Sequence, residues 1–274
     1  MASKPKLGQN FLRDPKAIER IALALGDIQS RSVVEIGPGK GAITDLLAAK
    51  AGHLTAIELD RELAWHLQER FLPEKGFPNV NIARQDVLHF DFAAVATAHA
   101  ENAEDSRRKL LVVGNLPYYI TSLILLRLAS YASYLDKAVL MVQREVADRV
   151  TAKPGSRDYG LLSVTLQLYG TTEQLFTLPP EAFNPPPEVH STVFRWSFAP
   201  RFEALGIGEA PFISFLKQSF AQKRKTLSNN LRAAGHSPES VAAAFATTGI
   251  NPQIRAEALP VEELAAIWRA LPRA

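Results

Sequence analysis

The pentapeptide Gly114-Asn115-Leu116-Pro117-Tyr118 places an amide, a rigid proline and an aromatic directly after an apolar, β-branched run. Such a set makes a poor core but a good platform for a planar base. An exocyclic amine such as adenine N6 is a weak nucleophile, because its lone pair is delocalised into the ring. Attack on a methyl carbon requires that nitrogen to pyramidalise. The side-chain carbonyl of Asn115 and the backbone carbonyl of Leu116 offer two acceptors for its hydrogens. They would also stabilise the positive charge developing on nitrogen, the converse of an oxyanion hole. Tyr118 is placed to stack on the base. With a neutral thioether as leaving group no general acid is required, and none is evident.

A second constellation reads as a cofactor site. Glu35-Ile36-Gly37-Pro38-Gly39-Lys40-Gly41 falls where an apolar strand run meets a helical pattern. Gly37 and Gly39 allow a sharp turn and close approach of backbone to ligand. The spacing Gly37-x-Gly39-x-x-Ala42 also fits a dinucleotide fingerprint, and glycines at such a turn can serve sterics alone. Glu58 ends the next strand, where a carboxylate accepts hydrogen bonds from both ribose hydroxyls. NAD and S-adenosylmethionine both carry an adenosine, so Glu58 does not separate them. Asp86 closes the third strand, placed to accept from an adenine amine.

These residues need a scaffold that gathers strand ends. The pattern predicts strands over 32–36, 54–58, 80–84, 110–115 and 138–142, alternating with helices over 42–50, 61–71 and 121–134 and from about 144. Asp14-Pro15 reads as a cap and first position of a helix reaching about residue 26. This alternation predicts an α/β fold, a doubly wound Rossmann-like sheet. Residues 161–169 and 191–198 break the rhythm and are expected as an antiparallel pair on its edge. From 211 only helices are expected: 212–233, 238–247 and 261–271. The domain boundary falls in 199–210. An Ala-rich, acidic segment over 93–105 reads as a solvated helix or loop.

The 274 residues are 47% hydrophobic and 22% charged, which excludes disorder and fibrous architectures. There is no cysteine, hence no disulfide or thiolate chemistry. No apolar run is long enough for a membrane span and the first residues lack a secretory signal, so a soluble, cytoplasmic protein is expected. The six histidines have no ligand-like spacing, and no metal is expected. The net charge of +3 is unevenly placed. Lys217, Lys223, Arg224, Lys225 and Arg232 lie between Glu209 and Glu239 with no acidic residue among them. Lys223, Arg224 and Lys225, with Ser228, Asn229 and Asn230, suit phosphate and 2′-OH groups. A basic, solvated helix is the structural alternative.

The chain resembles the S-adenosylmethionine-dependent rRNA adenine N6-dimethyltransferases, within them the bacterial enzymes acting on 16S rRNA. The resemblance runs through Leu7-Gly8-Gln9-Asn10-Phe11-Leu12, the glycine turn, Gln85-Asp86 and Asn115-Leu116-Pro117-Tyr118. It continues in Phe183-x-Pro185-Pro186-Pro187, Gln222-Lys223-Arg224-Lys225-Thr226 and Arg255-Ala256-Glu257. It implies cofactor contacts at Asn10, Leu12, Gly37, Glu58, Asp86 and Asn115, and a base held by Asn115, Leu116, Tyr118 and Phe183. Phe183, stiffened by the prolines, would be a second stacking wall; the alternative is a core residue anchoring its loop. It further implies a methyltransferase domain over 1–200 and a helical RNA- or ribosome-binding domain over 201–274. The expected reaction is dimethylation of two adjacent adenosines near the 3′ end of 16S rRNA, in a small subunit or its precursor, by a monomer. Glu188, His190 and Tyr119 depart from the family's usual residues. A 23S rRNA methyltransferase of the macrolide-resistance type, a non-catalytic assembly factor and a small-molecule methyltransferase are the competing readings. The triple-proline block, the intact acceptor set and the basic helical region respectively speak against them.

Overall fold

The computed structural model describes residues 10–98 and 109–272. The Leu7-Gly8-Gln9 string and Arg273 lie outside them, and the Ala-rich segment is described only as far as Ala98. A short strand, β1 (Phe11–Leu12), precedes helix α1 (Pro15–Ala24). Asp14 caps α1 by accepting from the N–H groups of Lys16 and Ala17 at 2.9 and 3.2 Å. Then follow β2 (Ser32–Ile36), α2 (Thr44–Ala48), β3 (His53–Glu58), α3 (Arg61–Arg70), β4 (Val80–Arg84) and α4 (Phe92–Ala98). Next come β5 (Leu110–Asn115), α5 (Thr121–Ala129), β6 (Leu135–Gln143), α6 (Arg144–Val150), α7 (Leu161–Tyr169), β7 (Gly170–Leu178), β8 (Phe183–Asn184) and β9 (Ser191–Phe198). The chain closes with α8 (Glu209–Ser219), α9 (Leu227–Ala233), α10 (Pro238–Thr248) and α11 (Val261–Ala270).

Seven strands form one sheet in the order β4-β3-β2-β5-β6-β9-β7. The first five pair in parallel and β9 runs antiparallel to β6. Side-chain pairs Thr177–Thr192 and Glu173–Arg195 run in opposite senses, so β7 is antiparallel to β9. The central strands β2 and β5 are near-continuous apolar runs, because helices cover both faces. The chain leaves β2 toward β3 on one side and returns to β5 on the other. This reversal opens a crevice at the carboxyl ends of β2 and β5, where open α/β sheets hold ligands. Gly114 makes the pairing of β5 with β2 possible there: a Cβ would come 2.6 Å from the Ile36 carbonyl.

Three expectations are corrected. Residues 161–169 form helix α7, not a strand; the strand on that edge is β7. Ser163, Val164, Thr165, Leu166, Leu168 and Tyr169 are all buried, so α7 has no polar face to reveal its period. The single helix expected over 212–233 is two, α8 and α9. Thr226 caps α9 by accepting from the Asn229 N–H, so Lys223, Arg224 and Lys225 lie in a turn. Helix α2 is shorter than expected, because Gly37, Gly39 and Gly41 all take positive φ and lengthen the turn.

The chain divides into two compact units. One is Met1–Ala147 with Thr172–Phe198; the other is Asp148–Thr171 with Ala199–Ala274. A single cut at residue 200 therefore leaves out Asp148–Thr171, which groups with the C-terminal helices: α7 packs on α8 and α11.

Candidate active site

The glycine turn after β2, Glu58 at the end of β3, Asp86 beyond β4 and Asn115 at the end of β5 converge on one cleft. Asn10 and Leu12, from β1 and the residue before it, line it as well, as do Leu116 and Tyr118. It encloses about 1080 Å³ counting the solvent at its open mouth. Every expected cofactor residue lies on it, and all expected base-binding residues but one.

Glu58 is 4% exposed. Its Oε2 accepts from the Gly39 N–H at 3.0 Å and its Oε1 from the Asp60 N–H at 2.9 Å. Burial pushes its carboxyl upward, and the backbone donors of Asp60, Gly39 and Leu59 oppose this. Glu58 thus ties the glycine turn to β3, and each oxygen keeps a lone pair for a ligand hydroxyl. Gly39 admits β1: its positive φ disfavours a side chain, and a Cβ would meet the Phe11 ring at 2.9 Å. Lys40 Nζ sits over that ring, 4.8 Å from its centroid. Asp86 caps the following 3-10 turn through Oδ1, which accepts from the Leu88 N–H at 2.9 Å.

The amide of Asn115 has a determined orientation. Its Nδ2 donates to the backbone carbonyl of Asn10 at 3.0 Å. A carbonyl can only accept, so it must face the NH2 end, and Oδ1 is left as an acceptor. The Leu116 N–H donates to the Met141 carbonyl at 2.9 Å, which anchors that peptide to β6. No donor among the described residues reaches the Leu116 carbonyl. The Tyr118 hydroxyl lies 2.7 Å from Ser191 Oγ, and burial pushes its phenol pKa up. The ring is thereby held neutral and in place.

Phe183 is the exception. It is 1% exposed, pairs from β8 with Leu12 of the antiparallel β1, and belongs to the hydrophobic core. It is not among the residues lining the cleft in this structure, and lies in the core beside Leu12. Lys223, Arg224 and Lys225 belong to the second unit and are exposed there.

Glu35 is a residue whose role the sequence reading missed. It sits on the central strand β2, 1% exposed, and lines the cleft. Its Oε2 has no hydrogen-bond partner among the described residues. Burial pushes its carboxyl up to about 8; the neighbouring Thr44 hydroxyl opposes the shift and the Asp45 and Glu58 charges add to it. The available signal was an acid inside the apolar run Val33-Val34-Glu35-Ile36.

The cleft's donor set decides between the two adenosine cofactors. Glu35, Glu58 and Asp86 line it against Lys40 alone. The phosphates of a dinucleotide would face the carboxylates of Glu58 and Asp86, whereas a cationic sulfonium is attracted by them; Glu35, held protonated by burial, adds no charge. The unpartnered oxygen of Glu35 and the free lone pairs of Glu58 also call for a polar, donor-bearing ligand. Among the described residues no group of His, Cys, Asp and Glu is disposed to hold a metal ion. Fold and cleft together are those of an S-adenosylmethionine-dependent methyltransferase.

Comparison with known proteins narrows the class. The ribosomal RNA adenine dimethylase family matches residues 1–272, and the chain belongs to that family. A ribosomal RNA small subunit methyltransferase A of Acidobacterium capsulatum is 56% identical, over 98% of this chain and 91% of that protein. A protein of the same name from Koribacter versatilis is 50% identical, over 98% and 95% respectively. Among solved structures, the 23S rRNA methyltransferase ErmE is 26% identical with a TM-score of 0.70, covering 96% of this chain and 99% of its own. A dimethyladenosine transferase from Plasmodium falciparum superposes with a TM-score of 0.78 over 94% and 95% at 21% identity, a likeness of fold.

Proposed function

We propose that the protein methylates N6 of two adjacent adenosines near the 3′ end of 16S rRNA to N6,N6-dimethyladenosine, within a small subunit or its precursor. The observation that carries this reading is the Asn115–Asn10 hydrogen bond, because it leaves the amide oxygen free at the cleft. When bound, S-adenosylmethionine supplies an electrophilic methyl group on sulfur. Asn10, Leu12, Gly37, Gly39, Glu58 and Asp86 would hold it, Glu58 through the ribose hydroxyls. Asn115 Oδ1 and the Leu116 carbonyl would accept hydrogen bonds from the two N–H groups of the target amine and direct its lone pair away from the ring. Both acceptors are set by backbone partners before the base arrives, so little reorganisation is required. Tyr118, fixed by Ser191, offers one face for stacking.

The second unit supplies the charge for RNA. Lys223, Arg224 and Lys225 occupy the exposed turn between α8 and α9. The buried Asn230 clamps that turn, its Nδ2 donating to the carbonyls of Ser219 and Gln222 at 2.7 and 3.3 Å. Lys223 Nζ also reaches the Arg157 carbonyl at 3.5 Å, bringing exposed Lys153 and Arg157 to the same side of this unit. Such a cluster suits phosphates, whose binding depends on charge more than on exact placement. The small-subunit target is favoured over 23S rRNA by the 50–56% identity to proteins named for the small subunit. No helix among the described residues is long and apolar enough to cross a membrane, and we infer a monomer acting in the cytoplasm. Mass mapping of modified adenosines in rRNA from cells with and without the protein tests the reading. Loss of paired dimethyladenosines in 16S rRNA is expected. Intact 16S modification, or loss in 23S rRNA, would overturn it.

A further inference from the structure

We propose that Tyr119 is a stacking platform for the unpaired base flanking the target adenosine; this rests on the reading that the base enters at Asn115. Tyr118 and Tyr119 are neighbours in a 3-10 turn, Tyr118–Ile120. Successive residues of such a turn point about 120° apart. Tyr118 is held inward by Ser191, and its neighbour faces outward: Tyr119 lines the cleft yet is 63% exposed. Its hydroxyl has no hydrogen-bond partner among the described residues. Leu123 and Leu126, four and seven residues on, are 53% and 44% exposed along α5. An apolar strip therefore leads away from the cleft, and Tyr119 is its one aromatic.

Among the aromatics lining the cleft, Phe11 and Tyr118 are partly buried and Tyr119 is the exposed one. A nucleotide turned into the cleft leaves its neighbour unstacked, and an exposed aromatic face offers that base a replacement. The platform is tolerant of base identity, because every base has a π face. For two adjacent adenosines it parks one while the other occupies the acceptor pair.

The test uses the full-length protein and a small-subunit RNA or particle with 2-aminopurine next to the target adenosine. Wild type should quench its fluorescence on binding. Tyr119→Ala should abolish the quench and raise KM for RNA by about 10-fold, with affinity for S-adenosylmethionine unchanged. Tyr119→Trp should restore both, and Tyr119→Leu, apolar but not planar, should not. Quenching by Tyr119→Ala equal to wild type, or full rescue by leucine, overturns the platform. Asn115→Ala is run alongside. If it loses turnover while Tyr119→Ala behaves as wild type, only the platform falls. If neither changes anything, the base does not enter here and both readings fall.

Discussion

At the cleft, Glu35 and Glu58 are almost wholly buried, and the Asn115 amide is tied to a carbonyl 105 residues away. At the turn between α8 and α9, Lys223, Arg224 and Lys225 stand in solvent, while the buried Asn230 holds the backbone beneath them. One region fixes its reactive atoms through buried partners; the other fixes a loop and leaves its charges exposed, with Lys223 alone reaching a backbone carbonyl, that of Arg157. The difference follows from what each must recognise. A developing charge on one nitrogen requires acceptors already in position. A polyanion requires charge near its surface and tolerates movement.

The contrast is broken most severely at Asn115. Asn115→Ala should lower single-turnover methylation of a small-subunit particle by on the order of 100- to 1,000-fold. RNA affinity in a parallel titration should change little. Near-normal turnover would refute the acceptor role.

Glu58→Ala comes next, losing both the ribose acceptors and the bond that holds the glycine turn. Affinity for S-adenosylmethionine by calorimetry should fall about 10- to 100-fold, or about 1–3 kcal/mol. Unchanged affinity would place the adenosine elsewhere.

In the other region the effect is smaller and depends on salt. Changing Lys223, Arg224 and Lys225 together to Ala should flatten the slope of log K for RNA against log salt by about 2, at about 0.7 per single-strand phosphate contact. Cofactor affinity should stay as it is. A slope that does not move would reduce the basic turn to a solvated surface.

The smallest effect sharpens the account of burial. The Glu35 carboxyl has its pKa raised on folding to about 8, so the folded state binds this proton more tightly than the unfolded state. Its contribution to stability is complete below the unfolded value near 4.5 and is lost as pH rises through about 8. Between pH 7 and pH 9 wild type should lose about 1 kcal/mol, or about 2–4 °C in Tm. Glu35→Gln, neutral at every pH, should remove that slope. A mutant as pH-sensitive as wild type would show that Glu35 is already ionised in the folded protein.

Legibility varied along the chain for identifiable reasons. Strands β2, β4, β5 and β9 could be bounded correctly from sequence, because β-branched runs between turn residues carry a local signal. The same signal misled at α7, whose Leu- and Val-rich run is buried on all sides. The basic segment was read through as helix because its charges mask the stop, although the Thr226 cap was present in the sequence. Phe183 could be read either as wall or as core, and nothing in its own neighbourhood chooses between them.

By itself the sequence determined the chemical inventory and its order: a glycine turn, Glu58, Asp86 and Asn115 at successive strand ends, and a basic segment late in the chain. Those features depend on backbone period and turn chemistry, which act over a few residues. Tertiary structure decided which atom of Asn115 is free, why Glu35 holds its proton, where Phe183 lies, and which segments belong to the second unit. Each depends on a partner far along the chain or on exclusion of water, and both exist only once the chain has folded.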